Sequence, residues 1–272
     1  IIHNKVGTRK KTVNKINIKQ IEEKMKDLQI KRGDTIMIHS SFKYINDTAE
    51  NFIEFLMDYI GEQGNILMPT HPLLSKENDV LVYDIKNSPS TVGYLTEVFR
   101  NTDGVLRSEH PLSSVAAWGK DAEYLLKDNL NNKKPLPHGI YSPYYKMMQL
   151  NAKVLCIGVT ARVRATIKHV AEEVLDEDFL LNDLFIEKEI VIKNNNKFLK
   201  KVIVREFDLT KSQIFVAKYK IEKEWLNNNI LIKSPINGVP FDIVDARKCV
   251  NYMINEAKRG NINYPYLARK GN

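Results

Sequence analysis

Two apolar, β-branched runs on either side of a helical segment narrow the fold class of this chain. Thr35–His39 and Asn65–Met68 have the length and composition of buried strands, and Phe52–Ile60 between them has apolar residues at helical spacing. A strand–helix–strand unit joins parallel strands, so this pattern predicts an α/β fold. Later strands at Ser114–Trp118 and Lys153–Val159, with helices between them, continue the alternation.

The pattern changes after about residue 180. Ile186–Ile192 and Phe198–Phe207 flank three asparagines and predict a β-hairpin. Further elements are predicted around Ser212–Trp225 (helix), Ile230 and Phe241 (strands) and Ala246–Lys258 (helix). We therefore predict a mixed, largely parallel central sheet flanked by helices, with a β-rich C-terminal elaboration. Since no linker is apparent, we expect a single domain over residues 1–272, with an α/β core at about 15–180 and the elaboration at about 181–272.

The charge of the chain favours anionic partners. Its 272 residues carry 41 Lys and Arg against 33 Asp and Glu, a formal net charge of +8, and such a surface attracts nucleic acids, anionic membranes or phosphorylated small molecules. The basic residues are scattered and none of their stretches is interleaved with aromatics, so we expect no nucleic-acid partner. No stretch approaches the roughly 18 apolar residues of a membrane span, and residues 1–20 have no signal-peptide core. We expect a cytoplasmic protein.

The two cysteines, Cys156 and Cys249, lie far apart in the sequence. They form no CxxC or Cys/His spacing, so neither a disulfide framework nor a zinc site is indicated. We expect two buried thiols in a reducing compartment, and no metal.

Polar side chains follow nearly every predicted strand. In open α/β sheets, ligands bind at these carboxyl ends of the strands. His169 and Glu172 stand three residues apart on the helix after the Lys153–Val159 strand, close enough for the carboxylate to orient the imidazole. A lone histidine after a strand is usually structural, and a His/Glu pair on a helix is usually solvated, so each feature has an ordinary alternative. The remaining polar residues at strand exits are His39, Ser40, Ser41, Thr70 and His71.

Several common chemistries lack their motifs in this sequence. There is no GxSxG nucleophile turn, and neither a GxxxxGK[ST] phosphate loop nor a GxGxxG after the first strand. HExxH is absent as well. Composition and spacing alone therefore predict no more than an α/β enzyme with a histidine base.

Six segments, in order, resemble motifs of the aminoglycoside 3-N-acetyltransferase family. They are Gly33–Phe42 (GDxxxxHSSL), Gly64–Thr70 (GTLxMPT), Ser88–Gly93 (TPSxxG), Arg107–Ala117 (RSxHPxxSVAA), Ser142–Tyr144 (GSPY) and Thr166–Glu172 (TxxHxAE). Any one match is weak, but together they extend from about Lys31 to Glu173, more than half of the chain. The last hundred residues show no motif that can be assigned.

The resemblance implies N-acylation by acyl-coenzyme A in a ternary complex, without a metal or a covalent enzyme intermediate. It implies that His169 is the general base that takes a proton from the incoming amine and that Glu172 orients it. The oxyanion of the attacked thioester needs preplaced donors, for which backbone amides and a hydroxyl near Ser40 and Ser41 are candidates. We expect acyl-CoA or the oxyanion to be bound by His39, Ser40, Ser41, Thr70 and His71. We expect the acceptor site or the active-site lining to be formed by Arg107, His110, Ser114, Arg162, Arg164 and Thr166.

The departures from the family pattern concern the acceptor. Ser113 stands where the family usually has a second histidine, and Ala165 stands where it often has an asparagine. Arg162 and Arg164 make the loop before His169 basic, whereas aminoglycosides are polycations that need a negative pocket. We therefore expect an anionic acceptor, a nucleotide-linked 3-amino sugar of the dTDP type used for surface polysaccharide.

Two alternatives stay open. The first is a true aminoglycoside 3-N-acetyltransferase that confers antibiotic resistance. The second is a non-catalytic relative whose basic face binds nucleic acid, although no recognition motif supports it. The acyl group, the amino sugar and the oligomeric state do not follow from the sequence.

Overall fold

The structure is a computed structural model, and it describes residues 14–131, 135–174, 185–207 and 218–259. The strands are β1 (Thr35–Ser40), β2 (Asn65–Pro69), β3 (Ser75–Glu77), β4 (Val80–Asp84), β5 (Leu106–Arg107), β6 (Val115–Gly119), β7 (Lys153–Ile157), β8 (Phe185–Asn194), β9 (Lys197–Phe207), β10 (Leu231–Lys233) and β11 (Phe241–Asp245). The helices are α1 (Ile18–Asp27), α2 (Ala49–Ile60), α3 (Tyr94–Arg100), α4 (Ala122–Leu126), α5 (Pro143–Gln149), α6 (Ala161–Arg164), α7 (Lys168–Val174), α8 (Lys218–Asn227) and α9 (Ala246–Lys258).

A seven-stranded sheet forms the centre of the molecule, in the order β10-β11-β7-β1-β2-β6-β5. β1 is parallel to both β2 and β7, whereas the outer pairings are antiparallel. The predicted mixed α/β sheet flanked by helices is confirmed. Its parallel part is limited to the three central strands, because the chain between β2 and β6 contains β3, β4, α3 and β5 and re-enters the sheet in the opposite direction.

A second sheet, in the order β3-β4-β8-β9, contains the predicted hairpin. β4 pairs with β8 in parallel, so this sheet joins strands that are more than a hundred residues apart in the sequence. β10 and β11 pair instead with β7 in the central sheet, and residues beyond 181 therefore contribute to both sheets. The division of the chain at about residue 180 stays a prediction, and the start of the helix expected at Ser212 lies outside the described residues.

Both faces of the central sheet are covered, as expected for buried parallel strands. Successive residues of β1 point to opposite faces: Ile36 and Ile38 pack against α1, α2 and α3, whereas Met37 packs on the side of α5, α7 and α9. All three side chains are fully buried. The alternation places the next residue, His39, on the same face as Met37, which is the face covered by α7.

Capping residues fix both ends of α2. Thr48 accepts a hydrogen bond from the backbone N–H of Asn51 at the start of α2. Gly61, with φ of 70°, ends it at the position that the sequence predicts. Within the described ranges, none of the helices combines the length and the apolar character needed to cross a bilayer.

Candidate active site

A cavity of about 560 Å³ opens at the carboxyl ends of β1, β2 and β7. These are the three parallel strands, so their exits meet at one edge, as the strand-exit rule predicts. Seven of the residues selected from the sequence line the cavity: His39, Ser40, Ser41, His71, Arg164, Thr166 and His169. Lys168 adds a second cation to the lining.

Close packing behind β1 and β7 shapes the floor of the cavity. Gly158, with φ of 71°, follows β7, and a Cβ atom there would lie 2.7 Å from Cδ2 of Tyr44 and 3.0 Å from the carbonyl oxygen of Ser41. Only glycine fits this approach. Asp242 on β11 accepts a 2.9 Å hydrogen bond from the backbone N–H of Ala161 and so fixes the start of α6, which leads to Arg164.

The backbone N–H of Ser41 is not available as an oxyanion donor. It donates to the carbonyl oxygen of Ile157 at 2.9 Å and so extends the β1–β7 pairing. Of the backbone amides near Ser40 and Ser41 that were expected as oxyanion donors, this one is used within the sheet, and the oxyanion role of this segment stays a prediction. Both serines line the cavity.

Thr70, Arg107 and Ser114 lie together behind the cavity and do not line it. Arg107 Nε lies 3.2 Å from both Thr70 Oγ1 and Ser114 Oγ. Its Nη atoms donate to the carbonyl oxygens of Thr70 at 2.6 Å and Ser88 at 2.5 Å. The guanidinium therefore joins β2, β6 and the loop after β4, and its donors are used within the fold.

Two other residues selected from the sequence also point elsewhere. His110 is 1% exposed, its Nε2 lies 3.4 Å from the carbonyl oxygen of Pro135, and burial lowers its pKa to about 3. Arg162 Nε lies 3.5 Å from Glu222 Oε2, an ion pair with α8. Of the two loop arginines, Arg164 alone lines the cavity.

A buried hydrogen-bonded cluster lies directly behind His71 and His169. Nδ1 of His138 lies 2.8 Å from Glu173 Oε1, and the backbone N–H of His138 donates to Glu173 Oε2 at 2.5 Å. Ser113 Oγ lies 3.3 Å from His138 Nε2 and 3.0 Å from His71 Nε2. The ring centroid of His138 is 5.2 Å from that of His169. The cavity is thus backed by a connected set of three imidazoles and one carboxylate.

Tyr144 at the start of α5 completes this cluster. Its ring centroid lies 4.8 Å from that of His138, and its hydroxyl is 3.4 Å from His71 Nε2. It is fully buried, and burial raises the pKa of its hydroxyl.

Ser113, His138, Tyr144 and Glu173 are not among the site residues that the sequence patterns predict. Ser113 lies two residues before β6, which runs antiparallel to β2, so it reaches the edge where β2 ends, and a rule about strand exits does not select it. Glu173 lies four residues after His169, on the same face of α7. The side chain of Glu172 lies outside the part of the chain that the structure describes, and its role stays a prediction.

Two imidazoles at the cavity are held neutral. Burial lowers the pKa of His39 to about 3, with smaller contributions from His71, Arg164 and Lys168. Burial lowers the pKa of His71 to about 4, with smaller contributions from His138, His169 and Arg107. His39 Nε2 is buried and has no hydrogen-bond partner within the described ranges. A polar atom of that kind at a cavity wall fits a bound ligand or water.

Comparison with known proteins identifies relatives of the chain. A sequence model of the family described as aminoglycoside 3-N-acetyltransferase matches residues 37–257. A prophage-derived aminoglycoside N(3')-acetyltransferase-like protein of Bacillus subtilis (strain 168) is 30% identical over 177 residues, which cover 56% of this chain and 63% of that protein. Aminoglycoside N(3)-acetyltransferase VII of Streptomyces paromomycinus is 29% identical over 169 residues, 53% of this chain and 56% of that protein. The match thus spans less than two thirds of the length of these relatives.

Solved structures share the fold. AAC-IIIb in a binary complex with CoASH superimposes with a TM-score of 0.73 at 22% identity, covering 88% of this chain and 95% of that one. AAC-VIa bound to sisomicin gives a TM-score of 0.74 at 20% identity, covering 91% and 99%. At these identities the similarity establishes the architecture.

Proposed function

This chain belongs to the aminoglycoside 3-N-acetyltransferase family, and we propose that it transfers an acyl group from acyl-coenzyme A to an amine of an aminoglycoside. The observation that carries the proposal is the cavity at the exits of the parallel strands. It combines three imidazoles, those of His39, His71 and His169, with hydroxyl groups and two cations. That set can accept a proton, bind phosphates and orient a thioester.

The lining residues fit an acyl-CoA donor. Arg164 and Lys168 offer cationic donors for its phosphates. The cavity volume of about 560 Å³ lies within the roughly 300–1,000 Å³ usual for small-molecule sites. AAC-IIIb, which shares this fold, binds CoASH.

In the proposed reaction His169 accepts the proton that the amine loses as it attacks the thioester carbonyl. The hydroxyl groups of Ser40 and Ser41 are the candidate donors to the oxyanion, because the Ser41 backbone N–H is already bonded. Glu172 is the proposed partner that stabilises the protonated His169.

A second candidate acceptor is an anionic, nucleotide-linked amino sugar. One observation favours it: no described lining residue of the cavity carries a carboxylate, and two are cationic. The phosphates of coenzyme A account for the same charges, and Arg162 is paired with Glu222. Family membership therefore supports the aminoglycoside as the first candidate.

The test is a thiol-release assay with acetyl-CoA and longer acyl-CoA donors, run against a panel of aminoglycosides and of nucleotide-linked amino sugars. We expect turnover with an aminoglycoside and, in a susceptible bacterial host, growth at a raised drug concentration when the chain is expressed. Turnover with nucleotide-linked sugars alone would favour the second candidate. Thiol release that no amine of the panel increases above the amine-free rate would reject N-acyl transfer.

A further inference from the structure

A buried path of hydrogen bonds connects Glu173 to the cavity through His138, Ser113 and His71. Its three links measure 2.8 Å from Glu173 Oε1 to His138 Nδ1, 3.3 Å from His138 Nε2 to Ser113 Oγ and 3.0 Å from Ser113 Oγ to His71 Nε2. Glu173, His138 and Ser113 are all at most 9% exposed, whereas His71 lines the cavity. The path therefore ends at the surface where substrates bind.

With Glu173 ionised and His138 neutral, the donor and acceptor rules give this path one direction. An ionised carboxylate only accepts, so both oxygens of Glu173 accept hydrogen bonds from His138, one from its backbone N–H and one from Nδ1. A neutral His138 with its proton on Nδ1 has an acceptor at Nε2. A serine hydroxyl has one proton, and if Ser113 donates it to His138 Nε2, Ser113 can only accept from His71.

When Ser113 donates to His138 Nε2, the tautomer of His71 follows. Its Nε2 carries the proton, donated to Ser113 Oγ, and Tyr144 Oη, 3.4 Å from the same nitrogen, is a second acceptor. Nδ1 of His71 is then an unprotonated acceptor. No described residue forms a hydrogen bond with that atom, so it is available to a ligand in the cavity.

We infer that Ser113, His138 and Glu173 are positioning residues that hold His71 in the Nε2-protonated tautomer, so that His71 Nδ1 accepts a hydrogen bond from the amine to be acylated. The inference rests on the proposed N-acyl transfer and adds a second imidazole to it: His169 removes the proton, and His71 aims the lone pair of the amine. Ser113 stands where the family pattern usually has a histidine, so this route to His71 depends on a residue that departs from that pattern.

The charged and titratable groups around His71 are consistent with a neutral ring. Burial and the neighbouring His138, His169 and Arg107 lower its pKa to about 4. Tyr144 faces it from α5, and Glu173, the one carboxylate of the cluster, is engaged by His138. His71 is therefore neutral at physiological pH and able to accept a hydrogen bond.

The Ser113–His138–Glu173 geometry also matches a nucleophile with its base and orienting acid. Burial argues against that role, because Ser113 is 3% exposed and is not among the residues that line the cavity. A nucleophilic Ser113 would form an acyl ester on the enzyme, whereas a positioning Ser113 would not.

The tautomer of His71 can be measured directly by nitrogen-15 NMR of the side chains. The chain has six histidines, and the His71 signals are those lost in His71→Gln. We expect the Nε2-protonated form in the wild type between about pH 5 and 8, and a mixture of tautomers in Ser113→Ala. Ser113→Thr keeps the hydroxyl and should keep the single tautomer, and Glu173→Gln, which can donate as well as accept, should disturb it.

Ser108→Ala is the matched control, because Ser108 is 1% exposed and, among the residues that the structure describes, its hydroxyl accepts only from the backbone N–H of Val115. It should leave the His71 signals unchanged. In the thiol-release assay Ser113→Ala should lower kcat/KM for the amine on the order of 10- to 100-fold, the range for groups that orient an imidazole. KM for acyl-CoA should not change.

Three results would overturn the inference: an Nδ1-protonated His71 in the wild type, His71 signals unaltered by both Ser113→Ala and Glu173→Gln, or the added mass of an acyl group on Ser113 after incubation with acyl-CoA. The NMR measurement needs no substrate. If no amine is acylated, the proposed function fails, while the tautomer still decides whether the path exists.

Discussion

The imidazole of His169 is the proton acceptor in the proposed reaction, and its removal is the direct test of that role. We expect His169→Asn to lower turnover by about 100- to 10,000-fold, the usual contribution of a general base. The fold should be retained, because His169 lies at the cavity wall. Thiol release at saturating substrate and a urea unfolding curve measure the two effects. Near-normal turnover in the folded variant would remove His169 from the mechanism.

Glu172 provides the comparison for that experiment. Glu172→Gln keeps the shape and removes the charge, and we expect a smaller loss of turnover than in His169→Asn. A loss as large or larger would make Glu172 the principal base.

His110 makes the stability of the protein depend on pH. It is buried with a pKa lowered to about 3, against about 6.5 in the unfolded chain, so the unfolded state binds more protons as the pH falls below about 6.5. The stability that the neutral ring provides is therefore lost from about pH 6.5 downward and continues to fall to about pH 3. At pH 5 the loss is about 2 kcal/mol for this one group.

The variant that isolates this effect is His110→Asn, whose amide oxygen can still accept from the backbone N–H of Leu112. We expect it to be less stable than the wild type at pH 7, yet to lose less stability between pH 7 and pH 5. Urea unfolding at the two pH values gives the difference. An equal loss in both proteins would show that other groups dominate the acid response.

At the scale of single elements, the turn after β7 depends on Gly158. Gly158→Ala combines a positive φ with a Cβ atom 2.7 Å from the Tyr44 ring, whereas Gly33→Ala has a positive φ of 89° and no atom within 4 Å. Gly33→Ala should cost about 1–2 kcal/mol of unfolding free energy. Gly158→Ala should cost at least about 1 kcal/mol more. Equal costs, measured by urea unfolding, would mean that Tyr44 moves aside freely.

Most elements could be predicted from local patterns, because the spacing of apolar residues and the capping residues involve only positions a few residues apart. α9 was predicted at its observed bounds, Ala246–Lys258, and the hairpin of β8 and β9 was found around its asparagine turn. Strand direction was harder, since the antiparallel entry of β6 depends on the path of the whole segment before it. Ser113 and His138 were missed for a related reason, because their partners are distant in sequence. The pairing of β2 with β6 brings Ser113 to His71, and α7 brings Glu173 to His138.

At the scale of the whole molecule, the net charge of +8 should assist binding of an anionic donor. We expect kcat/KM for acyl-CoA to fall as ionic strength rises.

Arg164→Ala should raise KM for acyl-CoA. Arg162→Ala should change it less, because Arg162 is paired with Glu222 on α8. Steady-state kinetics at low and high salt measure both effects. Equal changes in the two variants would show that the position of Arg164 at the cavity does not matter.

The order of strands in the central sheet also affects how the protein is made. β1 can pair with β2 soon after both leave the ribosome, but its other neighbour, β7, is synthesised more than a hundred residues later. Until then one edge of the central strand has unpaired backbone groups, which attract other chains. Pairings this distant in sequence also form slowly. We therefore expect slow refolding from denaturant, with a yield that falls as protein concentration rises.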